Sequence, residues 1–325
     1  MSEKLRFYYL YMDIEGTDLY PRIADDVISI TYTDDAEDKT KSQISITLAD
    51  TKAKYSQSPL LKVQTRLSAG LKVDDPLLGK YEFPFGEFTV TQIRGKWRQT
   101  VSLVGTSWIP DRERLREVRN LHFEEVSLSD LVTQLVKSAG FEPILERVPD
   151  LHFRKIELKN QTIEDFLKDL ATKYGLNFFV KGKKVVFGDI SPKELNLPTN
   201  QLLELEYNLD TKKSYSKIVV EYLDSEKNKL YRYEYDTGLP GDVYYHTEKV
   251  QSEAEAMEVA KGLARKLNSN SATLTVLLSG FPVYAGSIIN INLGGAFDGR
   301  YQILKVVHTI DKNQGWRTKL LLKLP

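Results

Sequence analysis

Residues 280–324 read GFPVYAGSIININLGGAFDGRYQILKVVHTIDKNQGWRTKLLLKL. Three runs within it, SIININL, RYQILKVVHTI and RTKLLLKL, place apolar and β-branched residues at alternating positions. That period of two is the signature of strands with one buried face. Between the first two, Gly294-Gly295-Ala296-Phe297-Asp298-Gly299-Arg300 superficially matches a phosphate loop. It lacks the Lys-Ser/Thr ending and a following helix, so it reads as a hairpin loop.

Working outward, the same order of residues recurs near the N-terminus. There Ala69-Gly70 leads a strand, Gly86-x-Phe88-x-Val90-x-x-Ile93 follows, and Trp97-Arg98-x-x-Val101-x-Leu103 closes. In the C-terminal stretch the counterparts are Ala285-Gly286, Gly299-x-Tyr301-x-Ile303-x-x-Val306 and Trp316-Arg317-x-x-Leu320-x-Leu322. The ordered match predicts two β domains that share their closing strands. A small barrel is the natural closure for each, because it removes exposed strand edges.

The rest of residues 1–110 fits this reading. VISITYT (27–33) and SQISITL (42–48) alternate around DDAEDKTK, a solvated turn, and GEFTVTQIRG (86–95) pairs with QTVSLVGT (99–106) as a second hairpin. Between 126 and 190 the pattern changes to helical. SLSDLVTQLVKSAGFEPIL (127–145) opens on Ser127 as N-cap, carries Asp130 in its first turn and ends at Gly140; Leu128, Leu131, Val132, Leu135 and Val136 share one face. TIEDFLKDLATKYGLNFFV (162–180) repeats this thirty-five residues on, Thr162 matching Ser127, Asp165 matching Asp130 and Gly175 matching Gly140. Each helix feeds an apolar strand, and KKVVFGD (183–189) adds a hairpin. From 191 the chain returns to β with YSKIVVEYLD (215–224) and KLYRYEYD (229–236), then an amphipathic helix over 252–268 capped by Ser252, then the closing strands. The predicted fold is α+β and mainly β. Two related β-barrel domains, 1–110 and 191–325, flank a middle domain of two helix–strand units, 111–190.

Composition narrows the function. At roughly 150 residues per domain, 325 residues make about two domains, or three small ones. The chain has no cysteine, which excludes disulfides, Cys-ligated zinc, iron–sulfur clusters and thiol catalysis. Lys+Arg and Asp+Glu are both 45, and the balance is local: 14 basic against 15 acidic residues in 1–110, 14 against 14 in 111–190, 17 against 16 thereafter. No domain concentrates the positive charge that nucleic-acid binding requires. The opening MSEKLRFYYLYMDIEG lacks a signal-peptide core, and no apolar run reaches membrane-spanning length. Synthesis in the cytoplasm without a signal peptide is expected.

Catalytic patterns are missing. His122, His152, His246 and His308 are too far apart in sequence for helical metal spacing or an HExxH site. His308, in the alternating KVVHTID, reads as a hydrogen-bonded structural residue. No G-x-S-x-G elbow and no helix-opening GxGxxG occurs. The acid pairs Asp25-Asp26, Asp74-Asp75 and Glu124-Glu125 read as solvated turns, since a glycosidase needs carboxylates that meet across a cleft. Asn160-Gln161-Thr162 is a formal sequon whose threonine serves better as a cap. Tyr8, Tyr9 and Tyr11, and the one-faced ladder Tyr231, Tyr233, Tyr235, read as core or subunit interface rather than sugar platforms. No catalytic, cofactor-binding or metal residue is assigned, and no cofactor is expected.

With these pieces in order, the whole chain resembles the late-control protein D family, tail or baseplate hub proteins of phages and related contractile injection particles. It is also similar to the N-terminal part of the VgrG spikes of type VI secretion. VISITYTDDAEDKTKSQISITLAD, GEFTVTQIRGKWRQTVSLVGTS, VSLSDLVTQLVKSAGF, TIEDFLKDLATKYGLNFFV and the stretch 280–324 carry the resemblance. It implies two related barrels per subunit and a homotrimer whose ring has pseudo-sixfold symmetry. One face of that ring would match the hexameric tail tube and the other a trimeric spike, with baseplate wedge and tape-measure proteins as further partners. It further implies a non-enzymatic virion component that would bind neither membrane nor a specific nucleic acid. VgrG-type chains continue into a spike where this sequence stops at Pro325, so the spike is expected as a separate polypeptide. The competing expectations are a cell-wall hydrolase using acids such as Asp25 or Glu125, and a carbohydrate-binding module built on 111–190.

Overall fold

The computed structural model describes residues 7–18, 23, 25–36, 42–58, 61–75, 79–109, 111–189, 192–210, 212, 214–224, 229–250 and 252–325. Residues 37–41 of the expected turn at 34–41 lie outside them. The first third is mainly strand: β1 (Phe7–Ile14), β2 (Thr17–Asp18), β3 (Val27–Asp35), β4 (Gln43–Ala49), β5 (Arg66–Asp75), β6 (Gly79–Lys96) and β7 (Thr100–Ser107). Then come β8 (Val118–Ser127), α1 (Leu128–Ser138), β9 (Glu142–Glu146), β10 (His152–Thr162), α2 (Ile163–Lys173), β11 (Asn177–Lys181) and β12 (Lys184–Gly188). The last part holds β13 (Glu194–Asn196), β14 (Leu202–Leu209), β15 (Tyr215–Asp224), β16 (Lys229–Asp236), β17 (Asp242–Val250), α3 (Glu253–Asn268), β18 (Ala272–Ser279), β19 (Ile288–Ile291), β20 (Gly299–Asp311) and β21 (Gly315–Lys323). The chain is α+β and mainly β.

The expected duplication is present in the backbone. Strands β3-β4-β7-β6-β5 form one five-stranded unit, and β14-β18-β21-β20-β19 repeat its order. Both units carry irregularities at matching places. The register shifts between Val27 and Ser29 against β4, and between Leu202 and Glu204 against β18. It shifts again between Val90 and Gln92 against β7, and between Ile303 and Lys305 against β21. At that second bulge Val90 bonds Gln64 and Thr65 through its carbonyl and amide at 2.7 and 2.9 Å, and Ile303 bonds Gly286 and Ser287 in the same way at 2.7 and 2.8 Å. Gln64 and Gly286 share a left-handed backbone, φ 70° and 91°. Bulges fix register and bend a strand, so two shared bulges mean two copies of one design.

The register corrects two of the letter matches. Gly286 is equivalent to Gln64, not to Gly70, which lies inside β5. Nor is Trp316 equivalent to Trp97. The equivalent rungs are Ile93–Leu103 and Val306–Leu320, from which β6 runs three residues to its turn at Lys96 and β20 runs five, to Asp311. The second hairpin is thus longer by two residues in each arm, and this lifts Trp316 into a ladder rung while Trp97 sits in a turn.

No sheet closes on itself among the described residues, so the expected single-chain barrels are absent as closed structures. Instead β20 pairs with β3, from Lys305 opposite Asp35 to Asp311 opposite Ser29, and fuses the units into one 13-stranded sheet. The second neighbour of β3 comes from the other unit, which leaves its own unit open.

The apolar residues gather in three cores. The first unit buries Ile30, Ile44, Ile46, Val101 and Phe88, together with Trp316 from the second; the second unit buries Leu274, Val276, Ile303 and Leu320. The third core joins α1 and α2 to α3 and β15–β17, where Ala256, Val259 and Ala260 meet Leu167, Ile218 and Val220. The sequence reading assigns α3 and β15–β17 to the second β domain; their apolar faces pack with the middle region instead. A close crossing makes this possible: a Cβ on Gly175, itself at φ 63°, would lie 2.9 Å from the Cα of Gly262. Only two glycines let the end of α2 approach α3 so closely.

Candidate assembly interface

At the seam where β20 meets β3, residues 281–285 tie the two units together through hydrogen bonds. His308 is fully buried there, directly opposite Tyr32 across the strand pair. Its Nε2–H faces the Val283 carbonyl at 3.0 Å, which fixes the tautomer, and Nδ1 receives the indole N–H of Trp316 at 3.2 Å. Burial pushes the imidazole pKa down to about 4, only partly opposed by the Val283 bond. Tyr32 lies parallel to the His308 ring at 5.9 Å and stacks on Phe85 at 4.6 Å; Phe83 meets His308 edge-on at 5.0 Å. Thr318 accepts the Phe281 amide at 3.1 Å and donates to the Phe281 carbonyl at 3.0 Å. The Tyr284 hydroxyl donates to the Pro84 carbonyl at 2.6 Å. Buried Asp34, two residues beyond Tyr32 on β3, accepts the Ala285 amide at 2.8 Å and the Ser42 hydroxyl at 3.0 Å.

This arrangement holds two β units at one relative position through satisfied polar groups inside an aromatic core. Such a network specifies a geometry and offers no nucleophile, base or open cation site. The expectation that His308 is structural holds.

The other histidines lie apart. His122 sits on the β8–β10 ribbon between Glu124 at 2.8 Å and Glu157 at 3.2 Å; Lys159 and Lys155 hold the Glu157 carboxyl down to about 2. His152 faces Glu125 at 3.4 Å on the same ribbon, and His246 is half-buried on β17. Among the described residues, no three His, Asp or Glu side chains gather as a metal site. Asp25 lies in the turn before β3 and accepts Lys312 through its backbone carbonyl, whereas Glu125 lies on β8 of the separate β8–β10 ribbon. The 294–300 loop is closed internally, Asp298 accepting the amides of Leu293 at 2.9 Å and Gly294 at 2.8 Å. Tyr233 and Tyr235 pack on the third core and Tyr231 stacks on Tyr222 at 5.7 Å, so that ladder serves packing. Tyr9 is exposed and Tyr11 half-buried on β1, while the side chain of Tyr8 lies outside the described residues.

No family model matches the chain, and no curated protein does. Solved structures do. The 43 kDa tail protein of prophage MuSo2 from Shewanella oneidensis superposes with a TM-score of 0.69 at 12% identity, over 98% of this chain and 99% of that one. The fold is that of phage tail proteins. A tail protein from Neisseria meningitidis MC58 shares it at TM-score 0.64 and 15% identity, over 98% and 96% of the two chains. So does the E. coli type VI secretion component c3393, described as structurally similar to the T4 tail proteins gp27 and gp5, at 0.55 and 12% over 97% and 76%. The tail-protein fold therefore spans the units, the seam and the middle body alike.

Sequence reasoning missed the seam's long-range partners. Alternation marks Tyr32 and His308 as inward-facing, but nothing local shows that they face each other.

Proposed function

We propose that the chain is a structural hub protein of a phage or phage-like contractile particle, acting through assembly and not through turnover. Three copies would form a ring of six β units that joins a hexameric tail tube to a trimeric spike. Wedge and tape-measure proteins would be its further neighbours. The observation that carries this reading is the duplicated five-stranded unit with two shared bulges, set in a tail-protein fold along the whole chain. A chain that presents the same unit twice converts threefold symmetry into an approximate sixfold one, which is what a joint between a hexamer and a trimer needs. The local balance of charge agrees with protein partners and with a bore that does not retain passing cargo.

Light scattering of the purified chain, with negative-stain averages of the same peak, tests the reading. Three chains of 37.2 kDa give about 112 kDa, and the averages should show a threefold ring with six lobes and an open centre. A stable monomer that also ignores a coexpressed spike protein refutes it.

A further inference from the structure

The duplication has an unused half. In the second unit β19 stops beside Ile303, and the freed edge of β20, from Lys305 onward, is taken by β3 of the first unit. In the first unit β5 pairs with β6 only as far as Thr89, opposite Arg66. Among the described residues, no strand borders the matching edge of β6, from Gln92 to Lys96. At the far end of the sheet β14, the equivalent of β3, has only β18 beside it among the described residues. One chain therefore carries both halves of a second seam and, among the described residues, does not join them to itself.

We infer that β14 of a second copy of this chain pairs antiparallel with residues 92–96 of β6, in the register of the internal β3–β20 seam. Carrying that register over by the equivalences above sets Ile93 opposite Leu209, Arg94 opposite Asn208, Gly95 opposite Tyr207, and Lys96 opposite Glu206. The inference rests on the hub reading and names its contact.

The side chains suit the pairing. Trp97, Tyr207 and Leu209 are exposed, at 59%, 55% and 41%. All fall on the face that continues the apolar side of the sheet, where Trp97 takes the place that Ile310 holds over Ile30 in the internal seam. Tyr207 already leans on Phe297 at 4.7 Å, as Tyr32 does on Phe85, and presents its other side outward. Gly95 leaves room for that ring where the internal seam has His308. A glycine opposite an aromatic is a recurrent cross-strand pairing. On the opposite face, Lys96 and Arg94 meet a strand bearing Glu204 and Glu206, where the internal seam has the uncharged rungs Thr309–Thr31 and Val307–Thr33. The two seams thus share a register and differ in chemistry: the internal one is buried and aromatic, the external one is charged and complementary. A head-to-tail contact of this kind closes into a ring when its rotation allows.

Because the chain has no cysteine, introduced thiols are unambiguous. Directly opposed residues of an antiparallel pair lie about 4.5–5.5 Å apart at Cα, within disulfide reach. The Arg94→Cys/Asn208→Cys variant should oxidise to a covalent trimer on a denaturing gel. The Arg94→Cys/Glu204→Cys variant, displaced by four residues or about 13 Å, should not. Lys96→Glu should raise the concentration for half-dissociation about tenfold at low salt, and adding Glu206→Lys should restore it. A trimer by light scattering that shows no preference between the two cysteine pairs overturns this contact and leaves the hub reading standing. A chain that stays monomeric with and without a coexpressed spike protein, and forms no cross-link, overturns both.

Discussion

Trp316 donates its indole N–H to Nδ1 of His308 at 3.2 Å, two rungs apart on adjacent strands, and so reads out the protonation state of that ring. A proton on Nδ1 would set two donors against each other. The folded pKa of about 4 lies below the ordinary 6.5, so the unfolded chain takes up this proton first. Stability from His308 is complete above pH 6.5 and is lost as pH falls towards 4. The total is about 3 kcal/mol, of which about 2 kcal/mol should be gone by pH 5. Urea unfolding at pH 7.5 and pH 5 measures it. His308→Gln should be less stable at both and should lose most of this pH slope; an unchanged slope would place its origin elsewhere.

The two tryptophans that look alike in sequence should behave differently. Trp316→Ala removes a 4% exposed indole from the first unit's core and should cost about 3–5 kcal/mol. Trp97→Ala alters a turn residue and should change the stability of the isolated chain by less than about 0.5 kcal/mol. Equal losses in chemical denaturation would contradict the register that separates them.

Gly286 stands at φ 91°, and the space a Cβ would occupy there has no atom within 4 Å, so its constraint is the backbone alone. Gly286→Val should cost about 1–3 kcal/mol, whereas Gly286→Asn should cost far less. Melting temperatures of the pair decide the point, since a steric origin would penalise both.

At the α2–α3 crossing the constraint is steric. A methyl group on Gly262 would press on the Lys173 carbonyl and the Gly175 amide. Gly262→Ala should therefore destabilise by about 1–3 kcal/mol despite the better helix propensity of alanine. A gain in stability would show that the helices can separate freely.

Local features were the legible ones. Ser127 and Thr162 accept the amides of Asp130 and Asp165 at 3.1 and 3.0 Å, and Ser252 caps α3, as residue type and spacing predict. Hairpins such as β6–β7 and β15–β16 follow from alternation with a short turn between. What alternation cannot supply is the neighbour. It marks β3 as half-buried without indicating that β20, some 270 residues away, completes its face. The parallel pairing of β17 with β15 and the placement of α3 against α2 are likewise non-local, the latter depending on Gly175 and Gly262 meeting. The repeat was legible as an order of residues, whereas its letters misled at Gly286 and Trp316. Equivalence there is carried by backbone bonds and bulges, which more than one residue type can satisfy. In the seam, Asp34 and Ala285 lie 251 residues apart, a contact no local pattern encodes.

The β3–β20 seam joins two parts of one polypeptide, and that fixes when it forms. Tethered strands meet at an effective concentration set by the intervening chain and independent of how much protein the cell holds. The internal seam is therefore finished as each molecule folds, at any dilution. Any contact between separate copies must instead await a threshold amount of protein. Covalent linkage thereby sorts two geometrically similar joints in time, one belonging to folding and the other to supply.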